Sequence, residues 1–456
     1  MKTRQTDEPI DDGLPLPRRY LAIFAMSAGT ALAVIDGTIA NVALPTIAST
    51  LHVTASQVAN VVTLYQLILI MTLLPLSALG DVIGHKRLYQ YGQMIFVLAT
   101  LSCFLANSLT ILLLARALQA LGAAGTLSVS SALIRSIYPA RQLGRGLGIN
   151  SMIVAGAGAF APALGGILLV VVDWQWVFVV AAPFALISLA AGSVALPETK
   201  SLTSSNYDFV GALLSAATFA LLIWGLQGLA YGRQILLGVL LLAAGIVTTV
   251  IFVRQQFFAC RPILPLDLLR QKLLVSPITG LLLAFMAQMM MLVSLPFRLQ
   301  HHFGFTPTAV GATLSFWPLT LIIVSPVAGA LSDRISTRLL GGLGMAFATA
   351  GFGSIALLAD HASQFDVSLR IAICGLGFGL FLSPNARTII GAAPRSRAAA
   401  AGGLIATTRL AGQALGASIA GGILALKVGD GALPAGLAAL VTVLIGLMNF
   451  GLKKKI

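Results

Sequence analysis

Fourteen long apolar stretches, separated by short connections, make up most of this 456-residue sequence. A helix needs roughly 20 apolar residues, within a range of about 17–25, to cross the hydrocarbon layer of a bilayer. The stretches that meet this requirement lie at residues 20–44, 57–79, 88–107, 110–133, 146–171, 176–196, 208–229, 234–253, 275–297, 308–331, 339–359, 367–391, 400–426 and 432–452. The pattern predicts an all-α polytopic membrane protein with 14 transmembrane helices and no appended soluble domain.

The basic residues predict the orientation of these helices. Cytosolic loops of membrane proteins carry an excess of Lys and Arg, and with both termini inside, 22 of the 28 basic residues fall in cytosolic segments and four outside. This bias accounts for the formal charge of +14 without nucleic-acid binding. The tail at residues 1–19 lacks a cleavage site after a short apolar core. We therefore expect a multi-pass protein of the cell membrane, in bacteria the inner membrane, with cytosolic termini.

The residues that carry most enzyme chemistry are scarce or scattered. Cys103, Cys260 and Cys374 are too widely spaced for a metal motif or a disulfide framework, so we interpret them as packing residues. The sequence contains no Ser/His/Asp set, no HExxH motif and no cluster of membrane-facing histidines. We therefore expect neither enzyme activity nor a bound metal or cofactor.

Two pairs of matching segments indicate an internal repeat. ALGDVIGHKR at residues 78–87 is echoed by ALSDRISTRL 252 residues later, and GGIL at residues 165–168 recurs 256 residues later. Agreement in offset and topology makes coincidence the poorer explanation, and duplicated helical halves are typical of secondary transporters. The predicted units are a cytosolic tail, an N-terminal six-helix bundle, two inserted linker helices and a C-terminal six-helix bundle, at residues 1–19, 20–200, 201–256 and 257–456.

Several motifs resemble the fourteen-span drug:proton antiporter branch of the major facilitator superfamily. The most specific is IDGTIANVALP at residues 35–45, in the first span. Three others are SALGDVIGHKR, ARALQALGAAG and GAGAFAPALGGIL, at residues 77–87, 115–125 and 156–168. The resemblance implies two pseudo-symmetric bundles that alternate in opening a central cavity to the two sides of the membrane.

Asp36 is the one acidic residue placed well inside a predicted span, since the other 13 lie in tails, loops or span ends. Desolvation disfavours a charged carboxylate, which suits Asp36 to reversible proton binding. Arg116 should lie at a similar depth, on the order of 10 Å below the outer surface. The resemblance makes Asp36 and Arg116 neighbours at the cavity, and Gln119 lies one turn from Arg116. The alternative is a fixed ion pair with a structural role only.

The resemblance also implies a gate, a packing motif and a substrate cavity. The gate residues at the cytosolic mouth are Asp81, Lys86, Arg87, Asp333 and Arg334, although the basic ones could simply retain the loops inside. The packing motif of span 5 comprises Gly158, Pro162, Gly165 and Gly166. The candidate cavity residues are Gln119, Gln288, Met290, Trp317, Phe381 and Arg409. Met290, Trp317 and Phe381 could equally be core residues, and Arg409 could anchor a helix interface through backbone carbonyls.

These features predict proton-coupled export of lipophilic, often cationic, compounds by alternating access. The alternative is proton-coupled export of one metabolite, lipid or lipophilic acid. The expected partners are small lipophilic substrates, protons and membrane lipids, with the proton gradient as the energy source. We expect the chain to function as a monomer, because the family fold is complete in one chain.

Overall fold

The computed structural model describes residues 13–139, 143–198, 207–230, 235–259, 272–332, 334–359, 361–392, 398–426 and 432–451. All regular secondary structure in these residues is helical. The helices are α1 (Leu16–Thr50), α2 (Ala55–Ile83), α3 (His85–Phe104), α4 (Leu109–Ile137), α5 (Leu143–Val171), α6 (Trp176–Val179), α7 (Ala182–Ala195), α8 (Phe209–Ala230), α9 (Ile235–Phe258), α10 (Lys272–His301), α11 (Pro307–Leu331), α12 (Thr337–Ala356), α13 (Gln364–Ala392), α14 (Ala398–Leu426) and α15 (Ala432–Gly451).

Hydroxyl side chains fix the start of several helices. Thr54 and Gln57 form a reciprocal capping box at α2, in which the backbone N–H of Gln57 donates to the Thr54 hydroxyl at 3.2 Å. The hydroxyls of Ser108, Thr306 and Ser336 cap α4, α11 and α12 in the same way. Each bond satisfies a backbone N–H that has no partner within its helix, so these polar residues set the boundaries of the apolar spans.

Every predicted stretch is helical, and the sixth is divided into α6 and α7. Twelve candidate spans in the described residues are long and apolar enough to cross a membrane. Neither α3, which begins with His85, Lys86 and Arg87, nor the described apolar part of α5, Gly156–Val171, is among them. The polytopic all-α fold is therefore confirmed, whereas the number of 14 spans stays a prediction.

The helices form two bundles with the same internal packing. In the N-terminal bundle, α1 packs on α5 and α7, and α4 packs on α2 and α3. In the C-terminal bundle, α10 packs on α14 and α15, and α13 packs on α11 and α12. The first, fifth and sixth helices thus associate in both halves, as do the second, third and fourth. This correspondence is expected for duplicated halves.

The two bundles meet along two seams and are flanked by the inserted hairpin. One seam is formed by α5 and α11, and the other by α2 and α14. Helix α8 packs against both α2 and α14, while α9 packs against α8. The inserted pair therefore lies along the second seam and leaves the first uncovered by it.

Apolar packing joins the bundles at the outer face and also along the α2–α14 seam, where Leu410 and Ala414 share a cluster with Tyr65 and Ile70. We call the face where α1 begins the inner face and the opposite one the outer face. An outer cluster unites both bundles, with Ile39, Leu44, Val293, Phe297, Ala417 and Ala420 among its buried members. At the inner ends, one cluster belongs to the N-terminal bundle and includes Ala22 and Leu88, and another belongs to the C-terminal bundle and includes Leu274 and Leu404. The structure is therefore closed at the outer face.

Candidate functional site

Asp36 and Arg116 form an ion pair inside the N-terminal bundle. Arg116 Nη1 on α4 donates to Asp36 Oδ2 on α1 at 2.7 Å. The second carboxylate oxygen, Oδ1, accepts a hydrogen bond from Gln119 Nε2 at 3.0 Å. Both oxygens of Asp36 are thus bonded, and charge-assisted bonds of this kind are among the stronger ones in proteins.

Gln119 connects the ion pair to α3. Because Gln119 lies one turn after Arg116, its amide oxygen accepts a hydrogen bond from Arg116 Nη1 at 2.6 Å. Its amide nitrogen donates both to Asp36 and to Thr100 Oγ1, the latter at 3.0 Å. A single amide side chain therefore bridges the two charges and fixes their relative position.

Two aromatic rings complete the surroundings of Arg116. Its guanidinium carbon lies 4.1 Å from the ring centroid of Tyr65 on α2 and 5.2 Å from that of Phe178 on α6. A cation over an aromatic face is stabilised by the quadrupole of the ring, more strongly where water is excluded. Tyr65, Phe178 and Thr100 were not predicted as site residues. The one available signal was the presence of polar atoms on Tyr65 and Thr100 inside predicted spans.

The ion pair is shut off from solvent in this state. Asp36, Arg116 and Gln119 each have 0% of their surface exposed. The resemblance implied that Asp36 faces a central cavity, whereas here it faces the interior of the N-terminal bundle. A buried pair balances its own charge, and removing one charge would leave the other uncompensated in a medium of low dielectric. Proton binding to Asp36 therefore requires a rearrangement of the network.

The glycine motif of α5 lies at the outer part of the α5–α11 seam. A Cβ atom added to Gly166 would lie 2.6 Å from the carbonyl oxygen of Pro307, and one added to Gly311 would collide with the carbonyl oxygen of Pro162. Thr308 Oγ1 also donates to the Gly166 carbonyl oxygen at 3.2 Å. Backbones approach this closely only where side chains are missing. The motif therefore closes the seam between the two bundles.

Gly158 and Gly165 lie on the side of α5 that contacts α1. A Cβ on Gly165 would be 2.7 Å from Ile39 Cγ1, whereas one on Gly158 would make an ordinary contact with Val34 at 3.7 Å. Close approach is thus required at Gly165 and less so at Gly158.

The predicted cavity residues of the C-terminal bundle differ in their surroundings. Trp317 packs against Phe352 and Phe378, with ring centroids 5.8 and 4.6 Å away, in the apolar core that also contains Phe381. Met290 is 1% exposed. Packing therefore accounts for Trp317, Phe381 and Met290, and their cavity roles stay predictions.

Gln288 and Arg409 have surroundings of another kind. Gln288 on α10 is half-buried, and its Oε1 has no hydrogen-bond partner among the described residues. Arg409 on α14 is also half-buried, and its Nε has no partner in the described part of the chain. Neither side chain belongs to the Asp36 network.

Comparison with known proteins places the chain in a family. Residues 26–417 match the Major Facilitator Superfamily, and a second, overlapping match covers residues 278–454. The chain belongs to this superfamily. Membership establishes a multi-pass membrane transporter, in agreement with the all-α fold.

Three relatives match this superfamily member over most of its length and most of their own. It is 43% identical to the uncharacterized transporter YebQ of Escherichia coli K12, over 90% of both chains. It is 29% identical to the riboflavin transporter RibZ of Clostridioides difficile 630, over 88% of this chain and 87% of the relative. It is also 29% identical to the multidrug resistance protein Stp of Mycobacterium tuberculosis, over 89% of this chain and 76% of the relative.

The junction of α2 and α3 in this superfamily member contains a local hydrogen bond between two side chains. Asp81 Oδ1 lies 2.9 Å from His85 Nε2, one helical turn away, and the Asp81 side chain is 59% exposed. Lys86 is half-buried and Arg87 is exposed. Of the corresponding pair in the second half, Arg334 is exposed and Asp333 lies outside the described residues. The gate function of these side chains stays a prediction.

Proposed function

We propose that this chain is a proton-coupled exporter of lipophilic compounds that works by alternating access. The observation that carries the proposal is the enclosed Asp36–Arg116 pair, with N–O contact at 2.7 Å and no exposed surface on either residue. Embedded ionisable residues are costly and therefore mark function more often than packing. A carboxylate in that position is suited to carry a proton.

The network suggests how proton binding could be linked to movement. Protonation of Asp36 removes the ion pair, so that the aromatic rings and Gln119 are left to stabilise the charge of Arg116. Losing one partner of a buried pair costs about 3–5 kcal/mol. A shift of α1 against α4 that rehydrates or re-pairs Arg116 offsets this cost. The protonated and ionised forms therefore favour different arrangements of the bundles.

The closed outer face supports the alternating-access part of the proposal. In this state the outer cluster and the glycine seam hold the bundles together, whereas the inner ends pack in separate clusters. Tilting the bundles about their middle would open the outer face and close the inner one. With the basic loops placed in the cytosol, this state accepts substrate from inside the cell.

Among the relatives, the multidrug resistance protein Stp supports export, and together they leave the range of substrates open. The similarity to Stp favours export of several drugs, and the similarity to RibZ favours the alternative of one specific metabolite. We take the broader range as the leading proposal. We further propose that the protein acts as a monomer in the bacterial inner membrane, with cytosolic termini, in contact with membrane lipids, and uses the proton gradient as its only energy source.

An efflux panel in cells tests this proposal. Cells lacking their own pumps would express the chain and be loaded with several fluorescent lipophilic compounds of different charge, and efflux would be followed with and without a protonophore. We expect accelerated efflux of more than one compound, abolished when the proton gradient is dissipated. Efflux that survives the protonophore would contradict proton coupling, and efflux of a single compound would favour the alternative.

A further inference from the structure

We infer that Arg409 and Gln413 bind the anionic group of an amphiphilic substrate, such as a lipophilic carboxylate, at the centre of the protein. This inference rests on the proposed export function and names its substrate class. It replaces the expectation that substrates are often cationic.

The face of α14 that carries Arg409 points toward the molecular centre. Ala420 follows Arg409 by 11 residues, about three helical turns, so the two share a face. Ala420 and Ala417 belong to the outer cluster, which also contains Ile39 of α1, Val61 of α2 and Val293 of α10. Gln413 is one turn after Arg409 and is also half-buried. Arg409 and Gln413 therefore lie beneath the closed outer cluster.

Helix α10 supplies a second polar side chain to the same region. It runs alongside α14 at close range, because a Cβ on Gly412 or Gly416 would collide with the carbonyl oxygens of Leu282 or Met286. Leu292 packs against the outer cluster and the core of the C-terminal bundle, and Gln288 lies one turn closer to the inner face. The unpaired Gln288 Oε1 thus lies between the closed outer face and the level of Arg409.

Arg409 has no counter-charge in the described structure. Neither a carboxylate nor a carbonyl of a described residue receives a hydrogen bond from its guanidinium, although such a group has five donors. Other arginines of this bundle are bonded: Arg298 Nη1 donates to the Ile355 carbonyl oxygen at 2.7 Å, and Arg370 pairs with Asp366 at 2.9 Å. The backbone-anchor alternative for Arg409 is therefore not observed.

The shortage of acid around Arg409 specifies the charge of the ligand. Among the described residues of α10–α15, Asp366 is the one acidic residue, and it lies in the first turn of α13. Asp36 is already held by Arg116. A cationic ligand near Arg409 would meet repulsion without a compensating carboxylate, whereas a carboxylate would receive the planar donor fork of arginine. The apolar walls suit the remainder of an amphiphile.

Three fluorescent probes with one body and different head groups test the inference. Pyrenebutanoate, pyrenebutylammonium and pyrenebutanol would be titrated into the full-length protein in nanodiscs of zwitterionic lipid, without a proton gradient. We expect Arg409→Gln to weaken pyrenebutanoate binding by about tenfold or more, the loss typical of a charge-assisted bond. Binding of pyrenebutylammonium should be unchanged or tighter. Arg409→Lys keeps the charge but loses the planar donor fork, so its affinity for pyrenebutanoate should lie between those of the parent and Arg409→Gln.

A control variant separates this site from general effects of charge. Arg254→Gln removes a charge from the exposed surface of α9 and should leave all three affinities unchanged. Equal weakening of all three probes by Arg409→Gln, or unchanged pyrenebutanoate binding in a variant with a normal melting temperature, would overturn the inference. Because these titrations use no gradient, failure of proton coupling would not affect them.

A lipid phosphate is the other possible source of an anion. Nanodiscs containing phosphatidylglycerol would reveal it. If this lipid competes with pyrenebutanoate in the parent but not in Arg409→Gln, Arg409 binds a lipid headgroup and the substrate assignment is wrong. Equal affinity in both lipid compositions supports the substrate assignment.

Discussion

The two bundles share a packing pattern but differ in the surroundings of one arginine each, Arg116 and Arg409. In the N-terminal bundle, Arg116 has a carboxylate, an amide and two aromatic rings as neighbours. In the C-terminal bundle, Arg409 has no hydrogen-bonded partner among the described residues. One half therefore holds its arginine in a closed network, and the other leaves its arginine available to a ligand.

The duplicated sequence shows where the halves diverged. VALP at residues 42–45 of α1 corresponds to VSLP at residues 293–296 of α10, and both end in a proline within the helix. With these segments aligned, Asp36 corresponds to Ala287, which is buried and cannot carry a charge. A buried acidic residue at this position thus exists in one half only, which fits the proposed division between proton binding and substrate binding.

The largest effect should come from breaking the closed network. Arg116→Leu leaves the Asp36 carboxylate buried without its counter-charge, so we expect the free energy of unfolding to fall by about 3–5 kcal/mol. Thermal unfolding of the purified protein measures this. The double variant Asp36→Leu/Arg116→Leu is the matched control and should recover most of the loss. If Arg116→Leu were as stable as the parent, Asp36 and Arg116 would not be energetically coupled.

The next effect concerns the seam that joins the bundles at the outer face. Gly166→Ala adds a Cβ 2.6 Å from the Pro307 carbonyl oxygen and should destabilise the outer-closed state by about 1–3 kcal/mol. A cysteine in place of Ile47, which is fully buried in the outer cluster, should then react faster with an impermeant maleimide. Gly156→Ala, with no neighbour within 4 Å, should leave the labelling rate unchanged. Equal rates in both variants would mean that the seam does not control closure.

A smaller effect of opposite sign should appear in the C-terminal bundle. Arg409→Leu removes a half-buried charge that has no bonded partner among the described residues, so we expect stability to stay the same or rise by about 1 kcal/mol, because isolated charges in membranes are costly. The same thermal measurement applies. A loss as large as that of Arg116→Leu would show that Arg409 is a structural residue and would remove the contrast between the bundles.

The smallest change in stability is expected at the inner loop. The Asp81–His85 pair is largely exposed on the aspartate side, and exposed pairs contribute about 0–1 kcal/mol. Asp81→Asn should therefore barely change thermal unfolding but should slow transport if Asp81 is part of the gate. His85→Gln removes the same local pair and serves as the control. If both variants transport at the parent rate, the gate assignment is wrong.

The sequence predicted how far along its helix each residue lies, but not in which direction around the helix axis its side chain points. Apolar length predicted all the helices, and depth together with family resemblance placed Asp36 near Arg116. The contacts with Tyr65, Thr100 and Phe178 depend on the rotation of three other helices, which nearly uniform apolar spans do not encode. For the same reason, the sequence could not distinguish Trp317, which packs in a core, from residues at the centre.

Local chemistry was predictable where it involved neighbouring residues. The division of the sixth span is one case that could have been recognised, because Pro183 lies in the first turn of α7. Close helix packing at Gly166 was predicted from the small residues of span 5, but its partners Pro307 and Gly311 come from the other bundle. Long-range pairing of that kind needs the fold itself.

The most direct test of Asp36 as the proton carrier is to measure proton movement and substrate movement together. Protein reconstituted in weakly buffered proteoliposomes would be given an outward substrate gradient, and internal pH would be followed with a trapped indicator. We expect the parent to move protons opposite to the substrate, Asp36→Asn to move none, and Asp366→Asn, a control at the start of α13, to behave as the parent. If Asp36→Asn moved as many protons as the parent, Asp36 would not be the proton carrier.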